Sequence, residues 1–266
     1  MTLNLFYHLC YVSVQGTTVS SAVTGSDIFI SGRSITIPNL LVCENEVTQA
    51  EFETVMGVNP SGLHSISANE PVNSVNWYMA IAYCNKKSIA EGLTPCYEIS
   101  GIDFSDLEFK DIPTIDFMNI SEISDPTWDS ITCNWNANGY RLPTEAEWEY
   151  CARGGNLTGP QTTYSGSNSI GNVAWYNEDA HEVKKKAANA LGLYDMSGNV
   201  SEWCWDWYGD ISSNTSDKGT SSGTRRIKRG GSCGYDIETC SVTYRDVDYP
   251  HFHDLGVGFR VVRKAD

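Results

Sequence analysis

Residues 27–37, Asp-Ile-Phe-Ile-Ser-Gly-Arg-Ser-Ile-Thr-Ile, alternate apolar and polar positions around Ser31-Gly32. That alternation predicts a β-hairpin. The period then changes. Thr48 and Glu51 have capping-box spacing, and Phe52, Val55 and Met56 follow on one helical face that Gly57 can end. A second helix is predicted from Asn76, with Trp77, Ala80, Ile81 and Cys84 as its apolar stripe and an end by Gly92. The third carries the strongest signal. Thr144 is its N-cap, Glu147 reaches back, Glu145 suits the positive end of the dipole, and Gly154-Gly155 stops it. Beyond residue 155 helical periodicity fades into short strands and turns. Residues 209–224 read as an exposed loop, and the last two strands are predicted near Arg226–Ser232 and Gly258–Arg263. No repeat and no Pro-rich linker divides the chain. One domain is expected over 40–266, with residues 1–39 as a lead-in whose hairpin packs on it.

Composition narrows the function classes. Hydrophobic residues make up 41%, a normal globular fraction, and there are eight Trp and fourteen Tyr. A net charge of −15 repels phosphate backbones, so nucleic acid is not an expected partner. The two basic runs, Lys184–Lys186 and Arg225–Arg229, read as solvated or strand-edge faces. No stretch is long and apolar enough to be a transmembrane segment. Met1–Val14 lacks a basic start and a small-residue cleavage site, so it does not read as an intact signal peptide. Cys10 follows Tyr7-His8-Leu9, a poor context for a lipid anchor, and its role stays open. The nine cysteines include no CxxC pair, and their odd number leaves at least one thiol free or paired with another chain. Cys84, Cys151 and Cys204 sit among apolar neighbours and read as buried thiols.

Several motifs occur in a fixed order. They are Glu46-Val47-Thr48-Gln49, Gly57-Val58-Asn59-Pro60-Ser61, Pro71–Trp77, Gly139–Tyr150, Gly192–Val200 with Glu202-Trp203, Arg229-Gly230-Gly231-Ser232, and Gly258-Phe259-Arg260. Together they resemble the formylglycine-generating-enzyme (sulfatase-modifying-factor) family over roughly residues 40–264. The resemblance implies an α+β fold of the C-type-lectin-like kind, compact and low in regular secondary structure. It also implies copper(I) held by two Cys thiolates for oxidation of a sulfatase cysteine, since soft thiolates suit that ion. Active members place the pair third and eighth after Gly-Gly-Ser. Here Cys240 stands eighth, but Tyr235 stands third and Cys233 first. In an extended segment a two-residue shift moves a thiol by roughly 6–7 Å. That register argues against copper and against catalysis, so no catalytic residue is assigned. His251 and His253 fit no metal motif and read as an exposed loop pair.

The resemblance further implies a structural calcium at Asp195–Glu202. Its ligands would be the side chains of Asp195 and Glu202 and the carbonyls of Met196, Gly198 and Val200, a set of hard oxygens. The alternative is a tight turn in which Asp195 caps backbone N–H groups. A second family site begins at a motif matching Asn172-Val173, but its downstream ligands have no clear equivalent.

Between the motif residues of 229–264 lies an unusual set: Gly234, Tyr235, Asp236, Tyr244, Asp246, Val247, Asp248, Tyr249, His251, Phe252, His253 and Asp254. Aromatic anchors beside short polar groups are the chemistry of adaptable binding surfaces. The pattern resembles the variable proteins of diversity-generating retroelements, which mutate template adenines, often in AAC codons. Every residue of the set is reachable from AAC by changes at adenine; Glu238 is not. The expectation is a non-catalytic ligand-binding protein, extracellular or on the cell surface, with a lipid anchor as one way to hold it there. Its variable segment would lie at about 233–257, and its partner would be a protein or a glycan. A drifted non-catalytic paralogue and a copper-dependent oxidase are the alternatives.

Overall fold

The computed structural model describes residues 10–61, 67–114 and 125–265. The first nine residues of the lead-in, His8 among them, and His64 lie outside the described residues. The chain enters through β1 (Tyr11–Val14), β2 (Thr17–Val19), β3 (Ile35–Ile37) and β4 (Leu40–Cys43), then α1 (Gln49–Met56) and α2 (Trp77–Ala90). It continues through β5 (Tyr97–Glu98), α3 (Pro126–Asp129), β6 (Thr132–Cys133), β7 (Tyr140–Arg141) and α4 (Glu145–Ala152). The last part holds β8 (Ser201–Trp207), β9 (Arg226–Arg229), β10 (Arg245–Asp248), β11 (Val257–Gly258) and β12 (Val262–Lys264). Regular structure is sparse, at 18% helix and 20% strand. One four-stranded sheet has the order β1-β4-β12-β7 and another the order β10-β9-β8-β11; β2-β3 and β5-β6 form two-stranded sheets.

The three helices expected from sequence, α1, α2 and α4, follow their local signals. Thr48 caps α1 with Glu51 in a complete capping box, and Gly57 ends it at φ 78°. The Asn76 side chain accepts from the Met79 N–H at the start of α2. Thr144 and Glu147 form the box of α4. The hairpin at 27–37 does not form. Instead Ile35–Ile37 pairs with Thr17–Val19. The reason is that adjacent Ile28 and Phe29 are both buried, which a two-faced strand cannot arrange. Ser26 Oγ accepts from both of their N–H groups and turns the chain inward. A further departure is β10, which lies between the two C-terminal strands expected from the sequence.

The second basic run is not a solvated face. Arg226, Lys228 and Arg229 are buried in β9, an interior strand. Partners remote in sequence explain this. The Arg226 guanidinium packs 3.4 Å from the Trp207 ring centroid and 3.7 Å from that of Trp77. Arg229 pairs with Glu149. Helix α4 is buried on all sides, so its carboxylates need cations, because an unpaired buried charge is costly. Glu147 receives a bidentate pair from Arg141 at 2.6 and 2.8 Å, and Glu145 one from Arg245 at 2.7 and 2.8 Å. Trp77, Trp148 and Trp203 fill the apolar interior around this framework.

Candidate ligand-binding face

The segment from residue 233 to 257 is held mainly through its backbone. Arg229 Nη2 donates to the Val242 carbonyl and its Nη1 to those of Thr243 and Tyr244. Asn76 Nδ2 donates to the His251 carbonyl at 3.2 Å. The Trp77 N–H donates to the Pro250 carbonyl at 2.9 Å and the Ser74 N–H to that of Asp254 at 3.0 Å. The Cys233 N–H donates to Asn199, and the Glu178 N–H to the Cys233 carbonyl. None of these bonds uses a side chain of the expected variable set. Gly234 makes the same point, since a Cβ there would meet nothing within 4 Å.

The face residues divide by position. Gly234, Tyr235, Asp236 and Tyr244 are exposed, and both tyrosines are 39% exposed. Asp246, Val247 and Asp248 lie in β10 and are half-buried, with Val247 packed partly on the core. Tyr249, Phe252, His253 and Asp254 are also half-buried. His251 is buried and stacks on Tyr249 with ring centroids 5.8 Å apart, so the two histidines are not an exposed pair. Burial holds the His251 pKa below the usual histidine value.

Two cavities flank Tyr235, which lines both. The larger, of about 300 Å³, is also lined by Gly234 and Asp254. Its remaining wall includes Glu178, Asp179 and Leu255, none of them expected from the sequence. The smaller, of about 210 Å³, gathers Tyr244, Asp246, Val247 and Asp248 with Ser201 and Lys228. The Lys228 Nζ lies 3.2 Å from both Asp246 and Asp248. Burial pulls its pKa down, but the two aspartates outweigh that and hold it above the ordinary lysine value. Asp236, Tyr249, His251, Phe252 and His253 line neither cavity. Ser201 and Lys228 gave no local sign in sequence. They are brought here by the pairing of β8 and β10 with β9, which sets Asp246 opposite Lys228.

The cysteines offer little thiolate. All nine lie among the described residues, and none forms a disulfide. Cys233 borders the larger cavity, and burial, followed by the Glu46 carboxylate, pushes its pKa up to about 12. Cys240 is buried with Tyr164, Ile170, Val173 and Ala174, and burial pushes its pKa up to about 11. Both are neutral thiols near pH 7 in the metal-free protein.

The 195–202 loop is tightly turned, with Asp195 at φ 56° and Asn199 at φ 61°. Asp195 Oδ2 accepts from the Lys184 N–H at 2.8 Å, while its buried Oδ1 has no hydrogen-bond partner. Burial pushes the Asp195 pKa up to about 6. Glu202 is already engaged by Arg260 at 2.6 and 2.7 Å and by Trp148 Nε1 at 2.8 Å. Glu46, unexpected from the sequence, accepts from the Val200 N–H and from Asn199 Nδ2. The Arg260 guanidinium thus pairs with Glu202; burial raises the pKa values of Glu46 and Asp195, and the Arg260 charge opposes that rise. The orphan Asp195 oxygen fits a hard cation; Glu202 fits it less well. Among the described residues no three His, Cys, Asp or Glu side chains converge as a metal shell, so carbonyls would have to complete one. At the second motif the Asn172 carbonyl accepts from the Ala187 N–H.

Comparisons with known proteins agree with this architecture. A family model described as "Sulfatase-modifying factor enzyme 1-like domain" matches residues 11–265. Chaperone protein LppX of Paenibacillus barcinonensis is 39% identical over 254 residues, covering 88% of this chain and 83% of LppX. The formylglycine-generating enzyme of Streptomyces coelicolor is 34% identical over 164 residues, so the match takes in only 53% of this chain and 52% of the enzyme. Among solved structures, Treponema denticola variable protein 1 superposes with a TM-score of 0.85 and 34% identity over the whole of both chains.

Proposed function

The chain belongs to the sulfatase-modifying factor family, and from that premise we propose that it uses the fold to bind a ligand rather than to oxidise a cysteine. In this reading it is the variable protein of a diversity-generating retroelement, displayed outside the cell, and residues of about 233–257 form its diversified face. One observation carries the proposal. Scaffold groups hold the backbone of this segment, so its side chains can change without loss of its course. The full-length likeness to T. denticola variable protein 1 supports it. The test is the neighbouring DNA. A reverse-transcriptase gene and a near-copy of codons 233–257, differing at adenines, are expected close by; absence of both overturns the reading. For display, protease treatment of intact cells should remove the chain.

The oxidase is disfavoured by Tyr235 at the first thiol position, which leaves Cys240 without its partner in the family's register. Turnover of a cysteine-containing sulfatase peptide with copper(I), abolished by Cys240→Ser, would reverse that. The likeness to LppX favours a second reading, a chaperone acting on a client polypeptide. It predicts suppression of client aggregation and no template copy nearby.

A structural calcium in the 195–202 loop belongs to the same proposal. The orphan Asp195 oxygen supports it, with the Met196, Gly198 and Val200 carbonyls as further ligands. Glu202 would join through the acceptor capacity that Arg260 and Trp148 leave free. The melting temperature should fall with chelator and recover with calcium, because a ligand bound only to the native state stabilises it. Equal melting temperatures would identify a plain turn.

A further inference from the structure

The smaller cavity beside β10 has a definite chemical character. Its mouth holds the exposed rings of Tyr235 and Tyr244. Its wall holds the carboxylates of Asp246 and Asp248, and its floor the buried ammonium of Lys228. Two negative charges face one positive charge, so the pocket keeps an excess of one carboxylate. The same charges reach Tyr235 at the rim: burial and then Asp254 of the larger cavity raise its pKa, Lys228 lowers it, and Asp246 and Asp248 raise it. An independent observation points to a missing ligand. Ser201 lines the same cavity, and its buried Oγ has no hydrogen-bond partner. Such an orphan hydroxyl is costly unless something fills the site.

We propose that this cavity anchors a basic side chain, Lys or Arg, of a partner protein. A guanidinium or ammonium between two tyrosine rings gains cation–π attraction, and the half-buried aspartates supply charge-assisted hydrogen bonds. Ser201 Oγ accepts from the same group or from a water that it carries in. The molecule already shows this arrangement on the adjoining flank, where Arg225 lies over the Tyr249 ring at 5.1 Å in the field of Asp248. The net charge of −15 attracts a basic partner over longer range. A neutral sugar could stack on the tyrosines but would leave the excess charge uncompensated.

This assignment rests on the binding-face reading and is tested apart from it. The intact chain, with ¹³C-labelled tyrosine, is titrated with Nα-acetyl-arginine amide, Nα-acetyl-lysine amide, Nα-acetyl-glutamate amide and methyl glucoside. Saturable shifts of Tyr235 and Tyr244 are expected with the two basic amides only. Asp246→Asn should weaken them about tenfold, as should raised salt. Asp246 is half-buried, so the variant's tyrosine spectrum reports whether it still folds; if it does not, the salt series on the unaltered chain decides. No saturable shift with either basic amide, an equal response to the glucoside, or binding indifferent to salt overturns the assignment. A failed titration beside an intact template copy would remove the anchor and leave the variable-protein reading standing.

Discussion

Two sets of residues interleave within 229–260 and obey opposite rules. The framework set cannot change. Gly231 sits at φ 68°, and a Cβ there would lie 2.6 Å from the Thr239 carbonyl carbon. A Cβ on Gly258 would lie 2.4 Å from the Val72 oxygen. Arg229 and Arg260 are buried on carboxylates. The exposed members of the face set are free, whereas His251 is buried and Asp246 and Asp248 answer the buried Lys228. Gly234 has open space around it, and Tyr235 and Tyr244 project from backbone that others hold. The contrast teaches that tolerance to substitution is set by where the backbone bonds end, not by sequence position. Neighbouring residues can differ completely in what they permit.

The largest test removes a framework cation. Arg229→Met should cost about 3–5 kcal/mol in urea unfolding, since Glu149 would lose one of its two arginines and the Val242–Tyr244 carbonyls their donor. A loss below about 1 kcal/mol would break the comparison. Next comes Gly258→Ala, expected to cost about 1–3 kcal/mol through its contact with Val72.

The Asp195 carboxyl gives a pH test of similar or smaller size. Its folded pKa of about 6 lies above the unfolded value of about 3.9. The folded state therefore binds this proton more tightly. The associated stability is present below about pH 4 and is lost as pH rises through about 6. Asp195→Asn should remove a decline on the order of 1–3 kcal/mol between pH 4 and 7 from urea-melt series. Saturating calcium, if bound, should oppose the decline by favouring the carboxylate. The smallest effect belongs to the face. Gly234→Ser should change stability by no more than about 0.5 kcal/mol; a larger loss would place Gly234 in the framework.

The helices were legible in sequence because their signals are local. Thr48 with Glu51, and Thr144 with Glu147, each contain a complete capping bond within four residues. The motif order likewise disclosed the family and the α+β class. Pairing between distant strands was not legible. Residues 27–37 carry a strand pattern, yet only their last part finds a partner, at Thr17–Val19. The burial of Arg226–Arg229 was hidden for the same reason: Glu149, Trp77 and Asp246 reach them only after folding. The two cavities beside Tyr235 had no sign in the sequence. Glu178 arrives through one backbone bond to Cys233, and Ser201 and Lys228 through the β8-β9-β10 sheet.

The place of β12 has a consequence for how such a face would be proofread. It follows residues 233–257 in the chain yet lies between β4 and β7, joining strands drawn from early and middle sequence. Arg260, just before it, answers Glu202 in the interior. A product broken off or read out of frame within 233–257 lacks both, leaving β4 and β7 without their common neighbour and Glu202 without its cation. Such a product loses the interior of a sheet rather than a fringe of it. Truncations and frameshifts in this stretch are thus exposed by failure to fold.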